Sequence, residues 1–594
     1  MRRQRRFTAV EAAARLQQLL SDSDASDTDS SVVSSDEIPA GEEVGLQDSQ
    51  AAILSDEELS QEPHSSVGEN FENSENVRHE QSGSGDNTRN TTDVFRASSG
   101  REWNKNPPPT SRTRRANLFT STPGFSVHIS TAKEALDEFL TEKMLQEIVE
   151  CTNRYGHANS NTWSDITILE LTAWIGLLLL AGVSKGNHEN IREMWKDGPL
   201  SRPMFRATMS VNRFEEIRRC IRFDDKDTRS ERAENGDKLA AIREIWTQFI
   251  ERCRSIYEPN ELLCIDEQLI PFRGRCSFKQ YLPSKPDKYG MKIFLIVDCL
   301  TGYVCDGIPY IGKEGINEGL RSKGLAKNVV IKFCERFFQS GRNITCDNFF
   351  TDFSLAEELY MKHLTIVGTV RKNKADLPRE FVDCKKREVG STLFGFDKNT
   401  TILSHVPKKN KCVTLLSTMH HEGKLDENSH KPDIILFYNS TKGAVDTVDQ
   451  LSHSYSIQRK TKRWPLAFFT NMVNLAAINA FILFREQQSD QILKVSHRRR
   501  VFLQDLGKEM VTPLIKIRAK SLNGMTIPIQ NAIKACNLMP KATASQQSDD
   551  GQKTLKAKRK RCYRCIQNDL VFISNPQHNQ SSFKNEYQKN NQNL

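Results

Sequence analysis

Four aspartates are the residues whose type and spacing could do chemistry. Asp266, Asp347 and the pair Asp446 and Asp449 each stand at or near the end of an apolar or strand-like run. Hard divalent cations such as Mg²⁺ bind through one or two carboxylates together with substrate phosphates. Acids delivered from separate strand ends are therefore what a two-metal phosphoryl-transfer site requires. A single Asp after a strand usually forms a turn or a cap, so the prediction depends on the combination.

The apolar pattern predicts the elements that would position these acids. Three strands are predicted over residues 261–272, 291–297 and 302–309. A helix over 329–338, a strand over 343–346, a helix over 353–363 and a strand over 365–370 follow them. A three-stranded meander and then helix–strand–helix–strand is the order of an RNase H-like α/β sheet. In that order the first acid lies on the first strand and the second just after the fourth. Asp266 and Asp347 occupy those places.

The segments around this core differ in pattern. Residues 130–258 show helical periodicity throughout, and 465–485 predict a strong helix. Residues 372–432 are polar and rich in lysine, which indicates a small β-rich insertion. A further strand is predicted over 432–438, leading to a helix start that carries Asp446 and Asp449 three residues apart, where both could face one way. Near the N-terminus, 10–20 could form a short amphipathic helix.

Charge is divided unevenly along the 594 residues. The first 100 residues hold 8 Lys and Arg against 20 Asp and Glu, and the remainder holds 76 against 55, which gives net charges of −12 and +21. A basic body suggests a polyanionic partner, most often nucleic acid; a merely solvated basic surface is the alternative. Residues 21–100 contain few large apolar side chains and are predicted to be disordered.

Cysteine usage and apolar runs bound the cellular setting. The 14 cysteines form no close-spaced framework before Cys562 and Cys565, so they are interpreted as reduced and intracellular. No signal peptide is visible. The apolar run 171–183 is too short to span a membrane, and three asparagines interrupt the run 465–484, which favours a buried core helix.

Several ordered blocks resemble the piggyBac transposases, cut-and-paste DNA transposases that recognise TTAA. The resemblance extends from about residue 131 to 523. It is most specific in five blocks that surround the acids and in one basic block after them, over residues 265–276, 281–290, 342–350, 365–371, 438–450 and 459–465.

The resemblance implies metal ligands and a domain plan. The family's metal-binding acids fall on Asp266, Asp347 and Asp446, with Asp449 as an additional essential carboxylate, for two Mg²⁺ or Mn²⁺ ions. The implied fold is α/β, an RNase H-like catalytic core with a β-rich insertion, flanked by an all-helical dimerisation and DNA-binding domain and by disordered termini. The expected divisions begin with an acidic disordered region and basic linker over 1–116, the first helical part over 117–260 and the first core part over 261–371. The insertion follows over 372–432, then the second core part over 433–456, the second helical part over 457–535 and the basic tail over 536–594.

The implied reaction nicks a transposon end and lets the 3′-hydroxyl attack the opposite strand to form a hairpin. The hairpin is then opened and the end is joined to a TTAA target. The implied partners are double-stranded DNA and a second copy of the chain in a homodimer, without a membrane. A basic run over 556–561 is a plausible nuclear-import signal, with a plain basic tail as its alternative, so a nuclear location is expected.

Basic residues near the acids are candidate DNA contacts. Arg and Lys at such positions can bind phosphates, whereas solvated charge is the alternative. A cation cluster with a tryptophan also suits a DNA backbone and a stacked base, although Trp464 could simply cap the following helix. The candidates are Arg273, Arg275, Arg342, Arg371, Lys374, Arg459, Lys460, Lys462, Arg463 and Trp464; Lys285 and Lys288 are weaker ones.

The C-terminal region departs from the family pattern. The family has a cysteine-rich domain that binds two zinc ions and contacts the transposon ends, but here Cys562 and Cys565 supply one ligand pair and only His578 follows. A closed zinc site needs four ligands, so Zn²⁺ binding is doubtful. Three functions therefore compete: an active transposase, a domesticated DNA-binding protein that no longer transposes, and, more distantly, a glycosidase with paired carboxylates, which the basic body disfavours.

Overall fold

A computed structural model describes residues 8–21, 93–109, 118–198, 201–283, 285–312, 324–487 and 498–536. Most of the predicted acidic disordered segment lies outside these residues. So do the basic run 556–561 and the cysteine pair, Cys562 and Cys565.

Thirteen strands lie within the described residues. In chain order, β1 to β13 are Val94–Arg96, Glu102–Asn104, Gly124–Phe125, Tyr257–Glu258, Leu262–Pro271, Gln280–Tyr281, Tyr289–Asp298, Val304–Pro309, Asn343–Cys346, Thr365–Thr369, Thr392–Phe396, Thr401–Lys408 and Lys411–Ser417. Strands β3 and β4 form a separate pair. All the others belong to one mixed sheet.

Seventeen α-helices lie within the described residues. In chain order, α1 to α17 are Ala9–Ser21, Ala132–Asp137, Glu142–Asn159, Ile168–Val183, Ile191–Met194, Pro203–Thr208, Val211–Cys220, Lys226–Glu234, Arg243–Ser255, Leu325–Cys334, Phe353–Met361, Arg379–Val382, Asp433–Thr441, Ala444–Ser454, Trp464–Gln487, Arg498–Ala519 and Ile527–Ala535. The eight helices α2 to α9 confirm the helical periodicity over 130–258. The amphipathic helix expected near the N-terminus is α1, whose buried Ala12, Leu16 and Leu19 lie on one face.

The large sheet is ordered β1-β2-β11-β12-β13-β10-β9-β5-β7-β6, and β8 pairs with β7. At its centre β5, β9 and β10 are parallel neighbours. Strand β7 is antiparallel to both β5 and β8. The predicted meander and the helix–strand–helix–strand order after it are therefore present.

The strand predicted over 432–438 is wrong, because this segment is helix α13. Pro432 occupies its N-cap and Asp433 its first turn, where an acidic side chain is favourable. Ile434, Ile435 and Tyr438 are buried at helical spacing. A short apolar run is compatible with a strand or a helix, and here packing selects the helix.

The disordered region predicted over 21–100 and the basic linker predicted after it, over 101–116, are also wrong in part, because β1 occupies residues 94–96 and β2 occupies residues 102–104. Trp103 is fully buried, and its indole Nε1 donates to the Asp376 carbonyl at 2.9 Å. Strand β2 pairs with β11, and β13 pairs with β10. The β-rich segment within 372–432 therefore extends the central sheet, with N-terminal residues at its far edge.

Helix α15 crosses the molecule as a buried core element. It is the one described helix long and apolar enough to cross a membrane, yet its most apolar 18-residue window is entirely buried inside the protein. Its asparagines are satisfied internally: Asn479 Oδ1 accepts from the Val304 N–H at 2.9 Å, and Asn474 Oδ1 accepts from the Ile457 N–H at 3.2 Å. The expected core helix is confirmed.

Candidate active site

Asp266 and Asp347 lie beside each other at the centre of the sheet. In the parallel pair of β5 and β9, Cys264 is opposite Thr345 and Ile265 is opposite Cys346. The two aspartates follow one residue further along, so they share the next position and face the same side of the sheet. Adjacent strands are about 4.8 Å apart, and this spacing places the two carboxylates side by side.

The turn after β9 is fixed by hydrogen bonds to Asp347. The Phe349 N–H donates to Asp347 Oδ1 at 2.9 Å, and the Thr351 hydroxyl donates to the Asp347 carbonyl at 2.8 Å. Gly368 on β10 lies against this turn. A Cβ there would be 2.1 Å from Thr351 Oγ1 and 2.7 Å from the Cys346 carbonyl oxygen, so the packing requires glycine.

Helix α14 covers this face of β5 and brings Asp446 and Asp449 to it. The Cys264 thiol donates to the Lys442 carbonyl at 3.3 Å, just before the helix begins. The Gln268 side-chain amide donates to Asp449 Oδ1 at 3.2 Å. Because Cys264, Asp266 and Gln268 alternate along the strand, they share one face. Asp266 therefore faces the helix that carries the other acids.

Gln268 is itself held by the core helix α15. Its Oε1 accepts from the Asn471 side-chain amide at 2.8 Å. This contact leaves the Gln268 amide group directed at Asp449, so the orientation of Asp449 is set from the centre of the molecule. The prediction that Asp446 and Asp449 lie near a helix start is confirmed, since α14 begins at Ala444.

Burial and mutual repulsion perturb the acids. The pKa of Asp266 is raised well above its usual value, first by burial and then by the charges of Glu267, Asp347 and Asp446. The pKa of Asp347 is raised to about 6, chiefly by burial and then by Glu267, while hydrogen bonds from Phe349 and Phe350 act against the rise. Negative charge crowded away from water favours proton or cation binding.

Lys285 is the cation paired with Asp446, and Lys292 and Arg371 also lie near the acids. The Nζ of Lys285 lies 3.2 Å from Asp446 Oδ1, and the Lys285 side chain is only 16% exposed, against 65% for Asp446. Burial opposes the charge of Lys285, but the carboxylates of Asp446, Asp266 and Asp449 outweigh it and raise the pKa of the ammonium group. Asp287, two residues after Lys285, contacts α14 further along, where its Oδ2 lies 3.3 Å from His453 Nε2.

The donor set fits a hard divalent cation by its chemistry. Asp266 and Asp347 offer carboxylate oxygens only, and Mg²⁺ needs one or two of these, completing its shell with water and phosphate. Among the described residues, no three His, Cys, Asp or Glu side chains are grouped so that they could hold a metal ion together. Asp446 is instead paired with Lys285.

A groove of about 1650 Å³ opens beside the far end of α14. Three of its basic side chains, Arg275, Lys460 and Lys462, are exposed, and within the described part of the chain none of these three has an ion pair or a side-chain hydrogen bond. Its lining includes seven Arg and Lys side chains. Five of them are predicted DNA contacts, Arg273, Arg275, Arg459, Lys460 and Lys462, and the other two are Arg218 and Lys279.

Other predicted contacts are used inside the protein. Arg342 is 1% exposed and donates to the carbonyls of Asn260 and Pro259, so its side chain is not available to DNA. Arg459 donates to the Gly186 carbonyl at 2.9 Å, and Arg463 donates to the Arg218 carbonyl at 3.1 Å. A guanidinium that binds several carbonyls is fixed in place, and this role is structural.

The remaining candidates lie near the turn after β9 or at the start of α15. Arg371 lies over the Phe349 ring, 5.9 Å from its centre, and Lys374 pairs with Asp352 at 2.8 Å. Trp464 begins α15 and packs edge-on against Phe278 at 5.1 Å.

Sequence reasoning missed how Gln268 and Lys285 are used. Gln268 follows Asp266 by two residues, and this same-face spacing could have indicated a role beside the acids. Lys285 was predicted only as a weak phosphate contact, because its pairing with Asp446 joins positions 161 residues apart.

Comparisons with known proteins agree with this geometry. A family model described as "Transposase IS4" matches residues 131–481. Human PiggyBac transposable element-derived protein 3 is 28% identical over 409 residues, covering 65% of this chain and 67% of that protein. Human PiggyBac transposable element-derived protein 2 is 25% identical over 371 residues, covering 58% of this chain and 60% of that protein.

A solved structure matches over a longer part of the chain. It is a cryo-EM structure of the piggyBac transposase synaptic complex with hairpin DNA, with a TM-score of 0.66 and 33% sequence identity. The match covers 73% of this chain and 91% of that chain.

Proposed function

This chain belongs to the transposase IS4 family, in its piggyBac branch, and we propose that it is a metal-dependent DNA transposase. Asp266, Asp347 and Asp446 are its metal ligands, and Asp449 is a fourth essential carboxylate. The observation that supports this most is that Asp266 and Asp347 directly follow Ile265 and Cys346, the last paired residues of two adjacent parallel strands, beneath the helix that carries the other two acids.

The strands β10-β9-β5-β7-β8 form an RNase H-like core in this proposal. Its support is the strand order with three parallel neighbours followed by an antiparallel meander. Residues 372–432 are the insertion, although their strands continue the same sheet. Residues 117–260 and 457–535 form the helical dimerisation and DNA-binding domain, and the homodimer acts in the nucleus.

The reaction breaks and joins phosphodiester bonds at TTAA sites. Water oxygen attacks the phosphorus at the transposon end, and the 3′-oxygen leaves to become a hydroxyl. That hydroxyl oxygen then attacks a phosphorus of the opposite strand and forms the hairpin. The 3′-oxygen of the flanking DNA leaves from this phosphorus and takes up a proton, while the attacking hydroxyl gives its own proton to solvent. When bound, Mg²⁺ or Mn²⁺ would activate the attacking oxygen and stabilise the leaving oxygen.

The chain's own residues orient the acids and neutralise the charge of the DNA backbone. Gln268 fixes the orientation of Asp449, and the turn after β9 fixes Asp347. The exposed side chains of Arg275, Lys460 and Lys462 offer unpaired positive charge to the DNA backbone beside the acids. Such contacts hold DNA in register without reading its sequence.

A domesticated protein that binds DNA without transposing is the second candidate. The names of the human relatives describe them as derived from transposable elements. Such a protein would keep the groove while its acids served no reaction. The two candidates differ in whether Asp266 is needed for any DNA rearrangement.

The test is excision of a TTAA-flanked element in cells. We expect Asp266→Ala and Asp347→Ala to abolish excision, whereas the exposed Asp505→Ala, a matched carboxylate loss on α16, leaves it unchanged. Absence of excision by the unaltered protein, with DNA binding retained, would favour the second candidate. Excision that survives Asp266→Ala would contradict the transposase proposal.

A further inference from the structure

Lys292 lies on β7 with its ammonium group among three aromatic rings. Its Nζ is 4.8 Å from the centre of the Phe294 ring, 5.0 Å from that of Tyr310 and 5.2 Å from that of Phe349. Cation–π attraction acts within about 6 Å of a ring centre. Phe294 and Phe349 are themselves stacked, with an angle of 15° between their rings. The three rings therefore form an aromatic cage that fixes the position of this cation.

The aromatic cage connects Lys292 to the turn that carries Asp347. Phe349 belongs to that turn, and its N–H donates to Asp347 Oδ1 at 2.9 Å. Tyr310 is attached to β7, because its N–H donates to the Lys292 carbonyl at 2.9 Å. The ammonium group is thus placed beside the proposed site by a ring whose own backbone binds one of the acids.

The Lys292 ammonium group has no anionic partner within the part of the chain that the structure describes. The side chain is half-buried, and burial lowers its pKa, whereas the charges of Glu267, Asp347 and Asp266 oppose this shift. Neither an ion pair nor a hydrogen bond joins Nζ to any of these described acids. An ammonium group has three N–H donors, and charge-assisted hydrogen bonds to anionic oxygens are strong. Such a cation suits an anion that arrives with the substrate.

Two other lysines of this region are held differently. Lys285 lies 3.2 Å from Asp446, and Lys374 lies 2.8 Å from Asp352. In both cases a carboxylate neutralises the ammonium group, whereas at Lys292 ring faces take its place. Aromatic rings hold a cation without cancelling its charge, so the charge of Lys292 remains available to a phosphate.

We propose that Lys292 contacts the substrate, and that its ammonium group donates to a nonbridging phosphate oxygen of the DNA strand that binds beside Asp266 and Asp347. The inference rests on the proposed function, since it takes these acids to mark the place of cleavage. During phosphoryl transfer, negative charge is spread over the nonbridging oxygens. A cation already fixed in position stabilises that charge without reorganising.

DNA binding without divalent cations tests the contact independently of cleavage. The probe is a fluorescent duplex that contains one TTAA, and its affinity for the full chain is measured by anisotropy from low to moderate salt. We expect Lys292→Met to lower the log–log salt slope by about 0.9, because one phosphate contact is lost. Lys292→Arg keeps the charge and should keep most of the slope.

Lys362→Met is the matched control, because Lys362 is an exposed lysine whose Nζ lies 5.3 Å from the centre of the Phe338 ring. It stands just before β10 begins, at the opposite end of the parallel strands from Asp347. Its substitution should leave the salt slope unchanged. If the aromatic cage only stabilises the fold, Lys292→Met would lower the free energy of unfolding in urea and would also leave the slope unchanged.

An unchanged slope for Lys292→Met would overturn this inference alone, because excision by Asp266→Ala still decides the proposed function. The reverse outcome is also distinct. If excision survives Asp266→Ala while Lys292→Met still lowers the slope, the proposed function fails and the phosphate contact stands without its role in the reaction.

Discussion

Two groups of aspartates on the same sheet have opposite surroundings: Asp298 and Asp306 are buried, whereas Asp266 and Asp347 are half-buried. Around the β7–β8 turn, Asp298 is fully buried and accepts hydrogen bonds from the Asn260 N–H at 2.7 Å, the Tyr257 hydroxyl at 2.9 Å and the Leu300 N–H at 2.8 Å. Asp306 on β8 accepts two hydrogen bonds from the Arg254 guanidinium, one from Nε at 2.7 Å and one from a terminal nitrogen at 2.8 Å.

The acids on β5 and after β9 accept fewer hydrogen bonds, of which the one from the Phe349 N–H to Asp347 at 2.9 Å is an example, and they lie close to other negative charges. Asp266 accepts from the adjacent Glu267 N–H at 2.8 Å, while the nearby charges of Glu267, Asp347 and Asp446 repel its own. A buried carboxylate surrounded by donors stabilises the fold, whereas one surrounded by other carboxylates costs stability and is kept for what it binds. We therefore interpret the first group as structural and the second as part of the proposed site.

Removing charge from the second group should have the largest effect on activity. We expect Asp347→Asn to reduce strand cleavage by roughly a thousandfold or more, because the amide cannot replace a charged ligand at a two-metal site. The measurement is the single-turnover cleavage rate on DNA carrying the recognised end. A loss below tenfold would place Asp347 outside the reacting group.

Removing charge from the first group should instead lower the stability of the folded protein. Asp298→Asn places an amide NH₂ among donors, and we expect a loss of about 3 kcal/mol in the free energy of unfolding. Urea denaturation measures it, with Asp266→Asn as the paired variant. If Asp266→Asn destabilises the protein as much as Asp298→Asn does, the distinction between the two groups is wrong.

The pH dependence of stability should sharpen the same contrast. Burial, followed by the charge of Glu267, raises the pKa of Asp347 from 3.8 to about 6. Because the folded pKa lies above the unfolded one, the contribution of Asp347 is fully present below about pH 4 and is lost as the pH rises through about 6.

Without added metal, the unaltered chain should therefore lose roughly 2 to 3 kcal/mol relative to Asp347→Asn between pH 4 and pH 7. Urea titrations of both proteins across this range measure the difference. Parallel stability curves would show that the Asp347 carboxyl is not crowded in the folded protein.

The cations divide in the same manner, with the smallest expected effect. Lys462 is exposed at the groove, so Lys462→Ala should lower the salt dependence of DNA binding by about 0.9 in log–log slope and leave stability unchanged. Binding measured from low to moderate salt tests this, with Lys508→Ala on α16 as the control. An unchanged slope would remove Lys462 from the DNA interface.

Local pattern predicted the core strands and the placement of Asp266 and Asp347. Each of these acids follows a short apolar strand, and the order of strands and helices determines which strands become parallel neighbours. The position of α14 above β5 could not be predicted from spacing, because it depends on contacts such as Gln268 with Asn471, between residues 203 apart.

The wrong predictions have physical causes of the same kind. Strand β2 has only three residues and lies in a polar part of the sequence, so local pattern does not predict it. The burial of Trp103 is what holds it in the sheet. Arg342 stands next to a site strand, but its guanidinium points into the protein toward the Pro259 carbonyl. Sequence shows that a cation is present and does not show which way its side chain points.

The sharing of one level by Asp266 and Asp347 limits how such a site can diversify. Backbone hydrogen bonding sets the separation of Ile265 and Cys346, the residues just before the two acids, and replacing nearby side chains leaves that separation unchanged. Asp446 has no such constraint, because it lies on helix α14 and not on a strand of the sheet. Differences in ion preference or turnover among relatives of this chain are therefore expected to follow from how α14 packs on β5.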